Sequence, residues 1–241
     1  MISKSKTIVI SQSMYFPWCG LLDQIRLSDV FVHYDDVQLS RGFYNRVQVK
    51  SPNGSSYITV PIKNRKQKQL IDQSYISYDM NWVDQHRATL LNSYRHLPFI
   101  KEALDVFDRV HDKKYDLLSD LSRASIKILA EYFQLDNKVQ FINSADLSIS
   151  GSSSRRLLMI TKKLGGNIYL TGHGALKYLD HTLFEENGVE VEYIDYCFKE
   201  YKQVHGPFTP YVSALDAIAH LGTNAADVLL STTINWRKAI E

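Results

Sequence analysis

Cysteine is nearly absent from this chain, with two in 241 residues. Cys19 and Cys197 lie in unrelated settings, with no Cys-x-x-Cys and no Cys/His ligand spacing. That argues against a disulfide framework and a structural zinc site and favours a reducing, cytoplasmic home. No apolar run approaches the length needed to cross a bilayer, and Met1-Ile2-Ser3-Lys4-Ser5-Lys6 has no apolar signal core, so no membrane insertion and no processing are expected. Charge of one sign is also missing: 28 Lys and Arg against 26 Asp and Glu leave a net charge of +2, too little field for nonspecific DNA binding. A Walker loop, a Gly-x-Gly-x-x-Gly turn and a Gly-x-Ser-x-Gly elbow are all lacking. Adenylyl transfer of the kind that uses His-x-Gly-His after a first strand is disfavoured, because Trp18-Cys19-Gly20-Leu21 holds neither histidine.

What is present is a full core's worth of apolar residues, 44% of the chain, arranged in alternating strand and helix signals. The β-branched run Thr7-Ile8-Val9-Ile10 predicts a buried strand, residues 20–27 a short helix, and Val30-Phe31-Val32 a second strand. Strand, helix, strand at this spacing is a βαβ unit with a parallel pair. Val47–Lys50 and Tyr57–Val60 flank Ser51-Pro52-Asn53-Gly54 and read as a hairpin. Residues 80–133 read as helical, with helices over 82–95, 98–110 and 115–133. Strands are expected again at 139–142, 168–170 and 189–194, with helices over 155–164 and about 175–187, the latter stopped by Gly188. The tail over 213–230 reads as helical with a break near Gly222. The expected architecture is therefore α/β: a mostly parallel sheet with flanking helices, a β-hairpin and an inserted helical subdomain. It forms one domain over 1–241, with an α/β core at 1–79 and 134–241 and the insertion at 80–133.

Polar groups collect just past the ends of the first two strands, where ligands bind in open α/β sheets. Asp35 and Asp36 could hold a metal, orient an amine or act as a general base, or else cap a turn. On an extended chain adjacent side chains point opposite ways, so one of the two faces the cleft. Gln12, Tyr15 and Trp18 suit a ring ligand, or lid the core. Arg41, Asn45, Arg46 and Lys50 suit a phosphate or carboxylate, or form a solvated hairpin edge. Trp82 and His86 share a helix face, and His86 is either a proton-transfer group or a packing residue. Gly172-His173-Gly174 follows a strand at a helix entry, where backbone amides meet phosphate, and His173 and His205 are reserve acid-base groups. The densest basic stretch, Lys63-Asn64-Arg65-Lys66-Gln67-Lys68, either grips phosphates or is a solvated loop.

The pattern Gln12-x-x-Tyr15-x-Pro17-Trp18-x-Gly20, with Ser28-Asp29-Val30-Phe31, Asp35-Asp36-Val37-Gln38, Asn45-Arg46 and Thr59-Val60-Pro61, resembles the WbqC-like family of bacterial proteins. The resemblance continues through Trp82-x-x-x-His86, Tyr94-x-x-x-Pro98-Phe99, Leu164-Gly165, Tyr169-Leu170-x-Gly172, Tyr178-Leu179 and Gly206-x-Phe208, nearly the whole chain. Ser11-Gln12-Ser13 stands where the family pattern reads His-Gln-Pro, so a role resting on that histidine does not carry over.

The resemblance implies a transferase of O-antigen and related lipopolysaccharide or surface-polysaccharide biosynthesis. Such an enzyme would N-acylate the amino group of a nucleotide-linked amino sugar, with glycyl as one example of the group moved. The co-substrate would be an activated acyl donor: an acyl or aminoacyl thioester, which an acyl carrier protein could present, or an aminoacyl-tRNA, the only case that calls for RNA. Tightly bound cofactors and metals are not expected. On this reading Asp36 or His86 is the base, Arg41 and Arg46 hold nucleotide phosphates, and Gln12, Tyr15, Trp18, Asp35, Gln38, Asn45, Gly172 and His173 complete the substrate site. Two alternatives use the same residues differently: a noncatalytic sugar-nucleotide or carrier-protein binding module, and a tRNA-dependent aminoacyl transferase.

Overall fold

In the computed structural model, residues 5–40 and 42–241 are described. Strand β1 (Thr7–Ser11) runs into helix α1 (Cys19–Arg26) and returns as β2 (Val30–His33), which pairs with β1 in parallel. The chain then leaves the sheet for an antiparallel hairpin, β3 (Arg46–Ser51) and β4 (Gly54–Thr59). Gly54 has φ +105°, a left-handed value that glycine supplies without a Cβ penalty. Three helices follow, α2 (Trp82–Tyr94), α3 (Ile100–Val110) and α4 (Leu118–Tyr132). The sheet resumes with β5 (Gln140–Asn143), α5 (Ser153–Lys163), β6 (Ile168–Thr171), α6 (His181–Glu186) and β7 (Glu190–Asp195). Helix α7 (Ala214–Leu221), strand β8 (Thr232–Asn235) and helix α8 (Trp236–Ala239) end the chain.

The six-stranded sheet has the order β5-β2-β1-β6-β7-β8, parallel except for the antiparallel edge strand β8. Its two central strands, β1 and β6, lie where the winding reverses: β2 and β5 were added on one side, β7 on the other. That reversal opens a crevice at the carboxyl ends of the two strands.

Residue alternation explains how both faces are covered. Val9, Phe31, Leu170 and Ile194 join a core with α1, the hairpin and helices α2–α4 and α7. Ile8, Ile10, Val30, Val32, Tyr169, Val191 and Tyr193 point the other way, into a second core with α5 and α6. The helical insertion is thus continuous with the sheet's first core. At Gly222, with φ +58°, a Cβ would lie 2.7 Å from the Phe99 ring, so glycine lets the end of α7 close onto the start of α3.

The sequence-based outline differs from the structure in two places. The helix expected over about 175–187 is split into a 3-10 turn over His173–Lys177 and α6, because the Asp180 side chain accepts from Leu183 N (3.0 Å) and starts a new helix. Strand β8 and helix α8 were not foreseen. β8 has four residues, and α8 is held by tertiary contacts such as Trp236 stacked on His181 at 4.5 Å. Among the described residues no helix is long and apolar enough to cross a membrane.

Candidate functional site

A cleft of about 730 Å³ opens at the carboxyl ends of β1 and β6. Its floor is Ser11 and Gln12 from β1 and Thr171 and Gly172 from β6. A Cβ on Gly172 would lie 3.2 Å from Tyr196 Oη, which is fixed by a 2.9 Å hydrogen bond from Gln24 Nε2, so the missing side chain keeps this floor open. One wall follows β2 and carries Tyr34, Asp36, Val37 and Gln38. The facing wall is the entry to α5, Gly151-Ser152-Ser153, with Arg156 one turn on. The N-terminus of α5 brings unpaired backbone N–H groups and the positive end of a helix dipole to the cleft. Tyr44 and Tyr178 stand at the mouth.

Asp36 is the carboxylate of this cleft. It accepts from Ser144 Oγ (2.5 Å) and forms an ion pair with Arg156. Arg156 in turn donates from Nε to Ile149 O (3.0 Å) and lies over the Tyr34 ring at 4.9 Å. These contacts fix the carboxylate to the α5 wall while one flank stays open, its side chain 19% exposed.

Asp35 points the other way, as alternation requires. It is fully buried and accepts from Ser13 N and Ser13 Oγ (2.8 Å each) and from Arg123 Nε (2.7 Å). Burial pushes its carboxyl up, against the pull of Arg123 and Ser13. Ser13, His33 and Asp35 together look like a hydrolase triad. The Ser13 hydroxyl, however, gives its proton to Asp35 and accepts from His33 Nδ1 (2.8 Å), and Ser13 is fully buried. A nucleophile needs the base on its own proton and a path to substrate; Ser13 has neither.

Other residues singled out in the sequence lie elsewhere. His86 is buried on α2, away from the cleft. Thr59 N donates to its Nε2 (3.1 Å), so its Nδ1 carries the proton toward Tyr15 Oη (3.2 Å), and Tyr15 in turn donates to His111 Nε2 (3.1 Å). Burial holds both histidines down at about 4. With both ring nitrogens engaged and no opening to the cleft, His86 packs the helical insertion, and Tyr15, fully buried, is the centre of that cluster.

Trp18 leans on Tyr196 (5.1 Å) and Tyr211 (5.5 Å) and covers Gly20, where a Cβ would lie 2.3 Å from its ring. Asn45 clamps the hairpin to the following segment: its Nδ2 donates to Val60 O (2.9 Å) and its carbonyl accepts from Val60 N (2.7 Å). Arg46 lies over the Tyr57 ring at 4.5 Å, and Lys50 donates to Pro207 O. His173 is exposed beside Tyr196 (6.0 Å), and His205 contacts Ser93 O (2.8 Å). Arg41 lies outside the described residues.

Of the sequence candidates, Gln12, Asp36, Gln38 and Gly172 meet in the cleft. The residues that reasoning from sequence missed are Arg156 and the Gly151–Ser153 turn. Their signal is the run of small residues, Ser148 to Ser154, that leads into the helix expected over 155–164 and its Arg155-Arg156. Among the described residues no three His, Cys, Asp or Glu side chains gather as a metal-holding group.

No solved structure matches the chain. An uncharacterized protein of Mycobacterium tuberculosis (strain ATCC 25618 / H37Rv) is 30% identical over 228 residues, 93% of this chain and 97% of its own length. The model of the WbqC-like protein family matches residues 12–228, a span that begins just past β1 and takes in both walls of the cleft and the glycine of its floor. The chain belongs to the WbqC-like protein family.

Proposed function

We propose that this protein is a transferase of surface-polysaccharide assembly that N-acylates the amino group of a nucleotide-linked amino sugar in the switch-point cleft. One observation carries the reading: the cleft presents two opposite electrical poles to a single ligand, the Asp36 carboxylate on the β2 wall and the α5 N-terminus on the other. A nucleotide-linked amino sugar has the matching pair, a diphosphate and an ammonium. Its phosphates suit the backbone N–H groups of α5, its ammonium suits Asp36, and its rings suit Tyr34, Tyr44 and Tyr178 with amide contacts from Gln12 and Gln38.

In the proposed reaction the ammonium passes one proton to Asp36. The freed amine nitrogen attacks the carbonyl carbon of an activated acyl or aminoacyl donor, forming the C–N bond. The bond from that carbon to the donor's sulfur or oxygen breaks, the leaving group takes the pair, and the second proton on nitrogen is lost as the amide forms.

The test is calorimetric titration with a nucleotide-linked amino sugar and with the same compound carrying a hydroxyl in place of the amine. The amino form should bind more tightly to the natural chain, and Asp36→Asn should erase the preference. Equal binding of both forms to the natural chain would defeat the proposal.

A second reading rests on the contacts Asp36 already makes. Its bonds to Ser144 and Arg156 favour a fixed binding carboxylate in a noncatalytic sugar-nucleotide module. That reading expects the same binding selectivity with no turnover on thioester or aminoacyl-tRNA donors.

A further inference from the structure

The basic stretch at residues 63–68 takes no part in the cleft, yet it is not a featureless loop. Two short pairings anchor it, Ile62 with Ile76 and Gln38 with Leu70, and Lys63 N donates to Tyr75 O (2.8 Å). Between those anchors it bends around a concavity of about 530 Å³ lined by Lys63, Lys66, Lys68 and Tyr75. The three lysines are exposed, and among the described residues none of them forms an ion pair with a carboxylate. Arg65 is turned back onto the carbonyls of Leu39 (3.5 Å) and Ser40 (3.4 Å), which fixes the loop to the outside of the cleft's β2 wall. The Tyr75 ring is 57% exposed at the edge of the same concavity.

We infer that this concavity is a second ligand site, for the multiply phosphorylated nucleoside end of a thioester acyl donor of the coenzyme A class. Three unpaired ammonium groups around one hollow suit several phosphates on one molecule, and an open phenol ring beside them suits a base. A hollow of this size takes one nucleotide. A net charge of +2 gives no broad basic field for a long RNA. Gln38 joins the two sites, since it lines the cleft and pairs with Leu70 at the end of the basic loop. A donor anchored on the loop could therefore extend its acyl arm over that wall. The assignment of this ligand as a donor rests on the transferase reading of the cleft; the anion site itself does not.

The experiment is calorimetric titration of the full chain with coenzyme A and with adenosine 3′,5′-bisphosphate, set beside the combined variant Lys63→Glu/Lys66→Glu/Lys68→Glu and the single variant Tyr75→Ala. Both probes should bind the natural chain. The triple variant should weaken both by a factor of at least about one hundred, since each hydrogen bond to a charged group is worth about tenfold or more. Tyr75→Ala should weaken both with an unchanged melting midpoint, which keeps the test readable if the triple variant folds poorly. Absence of binding, equal binding by the natural chain and both variants, or binding of tRNA alone with a steep salt dependence would each overturn the site. Failure of the cleft reading shows separately, as no binding of the nucleotide-linked amino sugar. Even then, coenzyme A binding lost in the variants supports the anion site.

Discussion

Asp35 and Asp36, adjacent in the chain, send their carboxylates to opposite sides of the sheet's end. Asp35 reaches Arg123 Nε on α4 at 2.7 Å in the buried core, and Asp36 pairs with Arg156 on α5 at the edge of the cleft. Side chains still alternate past β2, and that alternation separates a buried acid from a cleft-facing one. Each acid thus ties the end of β2 to a different helix.

Substitution should therefore divide the two acids by phenotype. On the proposed reaction, Asp36→Asn should lower acyl transfer by roughly 10²–10⁴-fold, the usual range for a lost general base. Asn keeps the shape that Ser144 and Arg156 contact but not the charge opposite Arg156, whose side chain is only 8% exposed, so a loss of stability should accompany the loss of rate. The check is transfer rate and chemical denaturation on the same preparation. A variant with full activity would remove Asp36 from the chemistry.

Asp35→Ala should act on the fold instead. It removes three hydrogen bonds and leaves Arg123, whose side chain is only 21% exposed, without its buried partner. Breaking a buried pair from one side costs about 3–5 kcal/mol. The denaturant midpoint should fall accordingly, and a loss below about 1 kcal/mol would show that the Asp35–Arg123 pair does not hold β2 to α4.

Gly172→Val addresses the cleft floor. A Cβ there already meets Tyr196 Oη at 3.2 Å, and two further methyl groups must crowd either Tyr196 or the space above Thr171 and Ser11. Overpacking of this kind costs typically about 1–3 kcal/mol, and here it falls on ligand space as well as on the fold. Binding of a nucleotide-linked amino sugar should weaken at least about fivefold, the lower end of that range expressed as affinity. Unchanged affinity would place the ligand away from this floor.

How far the sequence reveals these features depends on how local their causes are. Ile8-Val9-Ile10 and Val30-Phe31-Val32 carry their own strand signal, so β1, β2 and the crossover between them were legible. Gln12, Asp36, Gln38 and Gly172 were legible for the same reason: each follows the end of a strand directly, and in this architecture strand ends make the cleft. The opposite wall was not. Arg156 comes 120 residues after Asp36, and only the strand order β5-β2-β1-β6 brings α5 across from β2. Tyr15 and His86 belong to the same family-like pattern as the cleft residues, yet they face inward because α2 docks on the other side of the sheet. That docking is a tertiary event with no mark in the spacing of Trp82 and His86. β8 fails for a third reason: four residues of Thr-Thr-Ile-Asn have no periodicity to read, and pairing with β7 alone makes them a strand.

The buried histidines predict how the fold responds to acid. Burial lowers His86 and His111 from 6.5 to about 4, and His33, stacked on Phe141 at 5.7 Å, to about 3. In the unfolded chain all three titrate near 6.5. Between about 6.5 and the lowered folded values the unfolded state therefore binds more protons than the native state, and stability rises with pH across that window. Above 6.5 the imidazoles are neutral in both states and contribute no slope. As pH falls below 6.5 the fold loses stability, His86 and His111 each contributing up to roughly 3 kcal/mol and His33 up to roughly 5 kcal/mol once the folded value is reached. Two causes reinforce the effect at His86: protonating Nε2 forfeits the hydrogen bond from Thr59 N, and His111 lies across the shared Tyr15 hydroxyl. Urea denaturation at intervals from pH 7.5 to pH 4.5 should show the free energy falling from about pH 6.5 downward. The variant His111→Gln keeps a polar partner for Tyr15 without a titrating ring, so its slope should be shallower. A free energy that stays flat to pH 5 would mean that these rings are open to water and that the cluster around Tyr15 is looser than the geometry describes.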